Sequence, residues 1–145
     1  MIKILRRLVA IVFLIVFTAA PAFAWNKIYV QKIIDAVTVS ASGSTTSDAI
    51  TLSGLGNLGY FSIQVQVTGD GTAKVEYLLS NDGTTFLEPT GASDIAAGFT
   101  KTSGPGSDGK DMYTFNPMLS RYIKIRVTET GGADSVTASV WIVVQ

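Results

Sequence analysis

The sequence predicts an all-β fold, a single antiparallel β-sandwich of jelly-roll type behind a segment removed on export. Apolar and polar residues alternate at period two through four long stretches, the pattern of strands with one buried face. Clusters such as Gly69-Asp70-Gly71, Asn81-Asp82-Gly83 and Gly131-Gly132 interrupt the alternation where a chain must turn. Beyond residue 24 no stretch sustains the 3.6-residue period of a helix. Short strands with turns between them read as a sandwich or jelly roll.

Residues 1–24 stand apart. Lys3, Arg6 and Arg7 precede an apolar run from Leu8 to Phe17, and Pro21 breaks any helix before Ala22-Phe23-Ala24. A basic start, an apolar centre and a small-x-small end make a secretory signal peptide, with cleavage before Trp25. Ten apolar residues are short against the roughly 20 of a spanning helix, and no cysteine follows to take a lipid. The expected product is periplasmic or extracellular and free of the membrane. It is one domain, 25–145, of 121 residues, a length that supports a real core.

Within that domain short strands are expected at 27–34 and 36–41, together an N-terminal strand segment. SGSTTSD, 42–48, reads as a flexible linker, and a short strand is expected at 49–53. YFSIQVQVT, 60–68, sets Phe61, Ile63, Val65 and Val67 on one face and Ser62, Gln64 and Gln66 on the other. Gly-Asp-Gly then reads as a tight hairpin into AKVEYLLS, with Val75, Tyr77 and Leu79 inward and Lys74, Glu76 and Ser80 outward. TKTSGPGSDGKD, 100–111, is a loop too polar to bury, followed by a short strand near 112–115. RYIKIRVT turns Ile123, Ile125 and Val127 inward. ETGGAD, 129–134, reads as a second tight hairpin, and SVTASVWIVV closes the chain with Val136, Ala138, Val140, Ile142 and Val144 inward.

Composition excludes several chemistries. The full chain balances 11 basic against 11 acidic residues. Without Lys3, Arg6 and Arg7 the mature chain has eight against eleven, a net charge of −3, and no basic stripe for nucleic acid. Histidine is absent, which removes Ser-His-Asp and Cys-His catalysis and histidine-ligated metals. Cysteine is absent too, so no disulfide supports the fold. No cofactor is implied.

Carboxylates remain. Asp70, Asp82, Asp108, Asp111, Glu129 and Asp134 fall in expected turns and loops, where acids are usually solvated, and no catalytic pair is evident. Asn81-Asp82-Gly83 does not fit a calcium loop. With Gly83 in the glycine position, Leu78 and Pro89 would stand where acidic ligands belong, so the stretch reads as a turn and no metal site is expected. Tyr60 and Trp141 fall on outward faces and Tyr113 and Tyr122 near strand ends, a pattern open to sugar stacking. Large aromatics more often fill cores, and Trp141 is read as packed inside.

Ser80, Asp82, Gly83 and Phe86 spell S-x-DG-x-x-F, and Arg121, Tyr122, Ile123 and Ile125 spell RYI-x-I. In these motifs the chain resembles discoidin-like, galactose-binding-like jelly rolls over about half of its mature length. Similar short sandwiches occur in phage tail and fibre proteins. The resemblance implies a jelly roll that binds glycans, lipids or proteins through loops at one end. No loop matches, so it carries over no ligand residue, and the family's framing cysteines are missing.

The functional expectation is a non-catalytic, exported module acting through protein–protein or other surface contacts, adhesive or structural. Thirteen serines and fifteen threonines in the mature chain give a weakly charged surface suited to such contacts. Self-assembly would use the 27–41 strand, with Ile28, Val30, Ile33 and Ile34 as its apolar residues; pairing within its own chain is the alternative. A carbohydrate-binding module is the second class, with Asp108, Lys110, Asp111 and Tyr113 as candidate ligand residues. A small carboxylate-dependent hydrolase is the third.

Overall fold

The structure, a computed structural model, describes residues 28–53 and 59–145. The expected signal peptide and its cleavage point lie outside these residues. Nine strands are described: β1 (Tyr29–Val39), β2 (Ser44–Thr46), β3 (Ile50–Thr51), β4 (Phe61–Gly69), β5 (Ala73–Ser80), β6 (Ala96–Phe99), β7 (Lys110–Phe115), β8 (Tyr122–Glu129) and β9 (Val136–Val144). They form two antiparallel sheets. The first has the order β1-β9-β4-β7; the second has β2-β8-β5-β6, with β3 also on β8. Taking β2 and β3 as one broken strand leaves eight, and that order over two sheets is a jelly roll.

The alternation seen in the sequence sets the core. Ile63, Val65, Val67, Ile123, Ile125, Val127 and all of Val136, Ala138, Val140 and Ile142 are fully buried between the sheets. Each such Val or Ile contributes about 1.5–3 kcal/mol by leaving water. Phe61, Tyr77 and Phe115 pack as a ring cluster, with centroids 5.4 and 5.5 Å apart. The core is one contiguous cluster.

Several expectations need correction. Both expected hairpins are crossovers between sheets: β4 lies in the first sheet and β5 in the second, and the same holds for β9 and β8. The two crossovers run side by side, with Gly71 N–H on Ser135 O at 3.0 Å and Thr130 N–H on Thr72 O at 2.8 Å. Gly69, at φ 90°, has backbone where a Cβ would sit 2.8 Å from Ser135 O. Its glycine therefore serves this close approach rather than a hairpin.

The 42–48 stretch is not a linker. Ser44–Thr46 is β2, paired with Arg126–Thr128 of β8, and Ser47 is buried, its hydroxyl accepting Ile125 N–H at 3.0 Å. The two short strands expected over 27–41 are one strand, β1, with irregular register between Lys32 and Ile34 and between Ile34 and Val37. The 100–111 loop is folded tightly. Gly109 is buried and its carbonyl accepts Val67 N–H at 2.8 Å, while its own N–H reaches Ser103 O at 2.9 Å.

Glu129, expected in a solvated turn, is 2% exposed. Its carboxylate accepts backbone N–H groups of Ser42, Thr72, Gly131 and Gly132 at 2.8, 3.1, 2.6 and 2.9 Å. One side chain thus joins three chain crossings at this end of the sandwich.

Candidate functional site

The two outer faces of the sandwich differ. On the second sheet, β5 is buried on both sides: Glu76, Leu78 and Ser80, expected to face solvent or left unassigned, are all buried. The segment 81–95 runs along the edge of β5, and its Phe86, Glu88 and Asp94 side chains reach over the face to Lys124, Arg126 and Lys74. Leu87 pairs with Leu79 through two backbone bonds of 2.8 and 2.9 Å, and the Phe86 ring sits 4.3 Å from Lys124 Nζ. Phe86 thereby packs on Lys124, the ladder partner of Leu78.

Beneath that cover lies a charged network. Arg126 Nε donates to Glu76, Arg126 Nη2 donates to Glu88 at 3.1 Å, and Lys74 Nζ stands 2.7 Å from Glu76 and 3.7 Å from Asp94. Glu76 Oε2 meets Lys74 as an ion pair rather than a well-angled hydrogen bond. Burial pushes the Glu76 pKa up, but the Arg126 hydrogen bond and the charges of Arg126 and Lys74 outweigh it and hold the carboxyl below its ordinary value. Oxygens of Glu76, Glu88 and Asp94 come within 4.8 Å of one another, the reach of a metal site. Two cations already occupy that space, so the donor set fits an internal ion-pair network rather than a metal.

The outer face of the first sheet has no such cover among the described residues. Successive rows cross its four strands. Val30, Val143, Ser62 and Thr114 form one, and Lys32, Trp141, Gln64 and Met112 the next. Then come Ser139, Gln66 and Lys110, and last Thr38, Thr137 and Thr68. In the half nearer residue 28, Val30, Val143, Trp141 and Met112 stand among Ser62, Thr114, Lys32 and Gln64; the other half is hydroxyl and amide apart from Lys110. β4 and β9 place no charged side chain on the face at all. Of the large apolar side chains that stand exposed, Ile28, Val30, Tyr60 and Met112 belong to the half nearer residue 28. A groove of about 640 Å³ opens there, lined by Tyr60, Ser62, Thr114, Asn116 and Val143.

Trp141 lies in this half, so its expected place in the core is corrected. It points outward, half-buried, with Lys32 Nζ 4.7 Å from the ring centre. The period-two register carried that signal, since Trp141 sits between inward Val140 and Ile142. A second groove, of about 490 Å³, lies at the same end but on the loops, where Leu87, Pro89, Met118 and Leu119 surround Asp82.

The residues singled out from sequence separate on this fold. Ile28 and Val30 are exposed on that half-face, whereas Ile34 is buried in the core and Ile33 packs against it. β1 lies beside β9 of its own chain. Asp108 and Lys110 form an exposed ion pair at 2.8 Å. Asp111 accepts Met112 N–H at 2.8 Å, and the half-buried Tyr113 ring meets Phe99 edge-on at 6.2 Å. The structure therefore keeps Asp108 and Lys110 together and turns the Tyr113 ring toward the core. Asp82 Oδ1 accepts Ser80 Oγ and the N–H groups of Thr84 and Thr85, each at 2.8 Å. Those backbone bonds from Thr85 and Thr84, with the Ser80 hydroxyl, hold its carboxyl well below the usual range. The oxygen is occupied by its own turn.

No protein-family model matches the chain, and no curated protein matches it in sequence. Among solved structures it is similar to PliG of Aeromonas hydrophila, a periplasmic inhibitor of g-type lysozyme, at 13% identity and a TM-score of 0.45, over 83% of this chain and 89% of that one. It is also similar to a chain of infectious bursal disease virus, Gt strain, at 12% identity and a TM-score of 0.47, and to the VP2 subviral particle at 11% and 0.46. The chain spans about a third of each viral chain, 32% and 33%. At these identities and scores the likenesses carry no argument about function.

Proposed function

We propose that the chain is an exported, non-catalytic jelly-roll module that works by protein contact, through the outer face of its first sheet. The observation that carries this reading is the asymmetry of the two faces. The second sheet's outer face is covered over β5 by side chains of the chain's own 81–95 segment, while the first sheet's is open, uncharged on its central strands, and bears Val30, Val143, Trp141 and Met112 on one half. Open patches of that kind on a folded domain mark sites of association. Ile28 and Val30 belong to the contacting surface, and Ile33 and Ile34 fix their strand to the core. Export rests on the signal pattern of residues 1–24. The discoidin-like resemblance adds a family in which such sandwiches act as binding modules.

A photo-crosslinking residue at position 112, introduced into the full-length chain in its producing cell, tests the proposal. Discrete protein adducts at 112, fewer at exposed Asp108, are expected. Glycan binding abolished by Trp141→Ala, without any protein adduct at 112, would contradict it. Carbohydrate binding is the second reading, favoured by one observation: the Trp141 ring stands in a row with the Gln64 amide. The loop residues Asp108, Lys110, Asp111 and Tyr113 serve that reading less well, because the Tyr113 ring packs on Phe99.

A further inference from the structure

We propose that the partner joins the first sheet by adding an extended strand of its own to the free edge of β7. This rests on the protein-contact reading above and names the mode of contact and the partner's chemistry.

β1 and β7 end the first sheet, and β2 with β3, and β6, end the second. Most of these edges are blunted. β1 shifts register twice, and Ala36 takes a left-handed φ of 49°. β2 and β3 are three and two residues long, and β6 has four residues and a register shift against β5. Breaks and shortness of this kind keep an edge from being extended. β7 keeps an unshifted ladder with β4 from Gln66↔Lys110 to Phe61↔Phe115, and it carries no proline.

The register says which groups that edge offers. Val67 N–H donates to Gly109 O at 2.8 Å, so the alternate residues Asp111, Tyr113 and Phe115 exchange bonds with β4. Lys110, Met112 and Thr114 turn their N–H and C=O groups away from it. The Lys110 end is closed, because Gly104 is packed so tightly on Lys110 O that a Cβ would collide with it. Met112 N–H is held by the Asp111 carboxylate at 2.8 Å, which supplies the acceptor a neighbouring strand would otherwise provide. Among the described residues, Met112 O and both backbone groups of Thr114 have no hydrogen-bond partner. Unpaired backbone groups at strand spacing are what an added strand recognises.

Beside this stretch the edge opens into a slot of about 340 Å³, with Thr114 and Asn116 on one side, Gly91 to Ile95 on the other and the buried Tyr77 between them. A strand added at β7 turns alternate side chains into the slot and onto the open face. Those on the open face extend the rows that end at Met112 and Thr114. The added strand therefore widens the surface already assigned to protein contact. The occupant is an extended segment of another protein rather than a second copy. β7 of a copy brings its own 91–95 segment and 100–109 loop against those of the first, whereas a single strand enters the slot alone.

The crosslinking residue at position 112 of the full-length chain, in its producing cell, tests this when combined with Thr114→Pro. An edge strand tolerates proline where the N–H faces outward, so the fold should persist, and melting curves of the purified variant check it. An added strand would lose a ladder bond and meet the ring, so adducts at 112 should fall at least about tenfold. Thr114→Ala keeps the backbone and should leave them unchanged. Adducts unaffected by Thr114→Pro, or lost equally in Thr114→Ala, overturn the added strand and leave the protein-contact reading standing. A second measurement needs no proline. Crosslinking residues placed at 112 and, separately, at 114 should mark residues two apart in one segment of the partner, the period of a paired strand. Marks on unrelated segments, or on a second copy of this chain, overturn the proposal. Absence of any protein adduct at 112 in the otherwise unaltered chain removes both the added strand and the reading it rests on.

Discussion

Glu129 Oε2 accepts the backbone N–H of Ser42 at 2.8 Å, across 87 positions of sequence. Thr72, Gly131 and Gly132 complete the shell. Backbone bonds from Ser42, Thr72 and Gly132 outweigh burial and lower the carboxyl from 4.5 to about 2. A folded-state pKa below the unfolded one contributes stability that is fully present above the unfolded value. It is lost as the pH falls from near 4.5 toward 2. Glu129→Gln should lower the melting temperature by several degrees at pH 7 and flatten its dependence on pH between those limits. Urea midpoints at pH 7, 4 and 2.5 for both proteins check the sign. Asp82, also lowered, contributes a residual slope in the same direction.

The ion-pair network under the 81–95 segment should behave as a buried pair. Arg126→Met leaves the 2%-exposed Glu76 with Lys74 alone and should cost about 2–4 kcal/mol in urea unfolding. Glu76→Leu with Arg126→Met should recover much of that loss, since neither charge is then stranded. Millimolar calcium should leave the wild-type melting temperature unchanged. A rise abolished by Asp94→Asn would show that the carboxylates take a metal despite their lysine and arginine.

Core and outer face should separate cleanly on β4. Val65 is fully buried, so Val65→Asp should unfold the domain, an unpaired interior charge costing several kcal/mol. Ser62→Asp, on the outer face of the same strand, should leave the melting temperature of the folded protein within a few degrees. Near-equal effects would mean that the facing of the strand is wrong.

Ala36 breaks the β1 ladder with φ 49°, its N–H held by Ser139 Oγ at 2.9 Å. Left-handed backbone costs an alanine about 1–2 kcal/mol, while glycine gains unfolded-state entropy worth about 0.4–1 kcal/mol. Ala36→Gly should therefore be neutral or stabilising by up to about 1 kcal/mol. Ala36→Val should destabilise, because a β-branched side chain tolerates this conformation poorly. Urea midpoints of the two variants decide.

The alternation made the core legible: Ile63, Val65, Ile125, Val127 and Ile142 could be faced from sequence because one-sided burial imposes period two. Partner choice between strands was not legible. Gly69-Asp70-Gly71 has the composition of a hairpin turn, and only the packing of one crossover against another shows that it changes sheets. Glu129 looked solvated because an acid near two glycines does, and two of its four donors, Ser42 and Thr72, come from segments remote in sequence. Glu76 and Leu78 were buried by a covering segment, 81–95, whose composition reads as loop. The open face was not legible either: period two sets Trp141 outward, but its size argued for the core, and nothing in the sequence shows that the face is left uncovered.

Met112 and Met118 offer a matched pair, 66% and 64% exposed. Met112 is on the open sheet face and Met118 on the loop groove. The most direct measurement is their relative rate of peroxide oxidation, read by mass spectrometry, in the purified full chain and in the extract of its producing cell. In the purified protein the two should oxidise at similar rates. In the extract Met112 should become protected several-fold while Met118 stays reactive. Equal rates in both, or protection of Met118 alone, would mean that the first sheet's outer face is not the surface this protein works through.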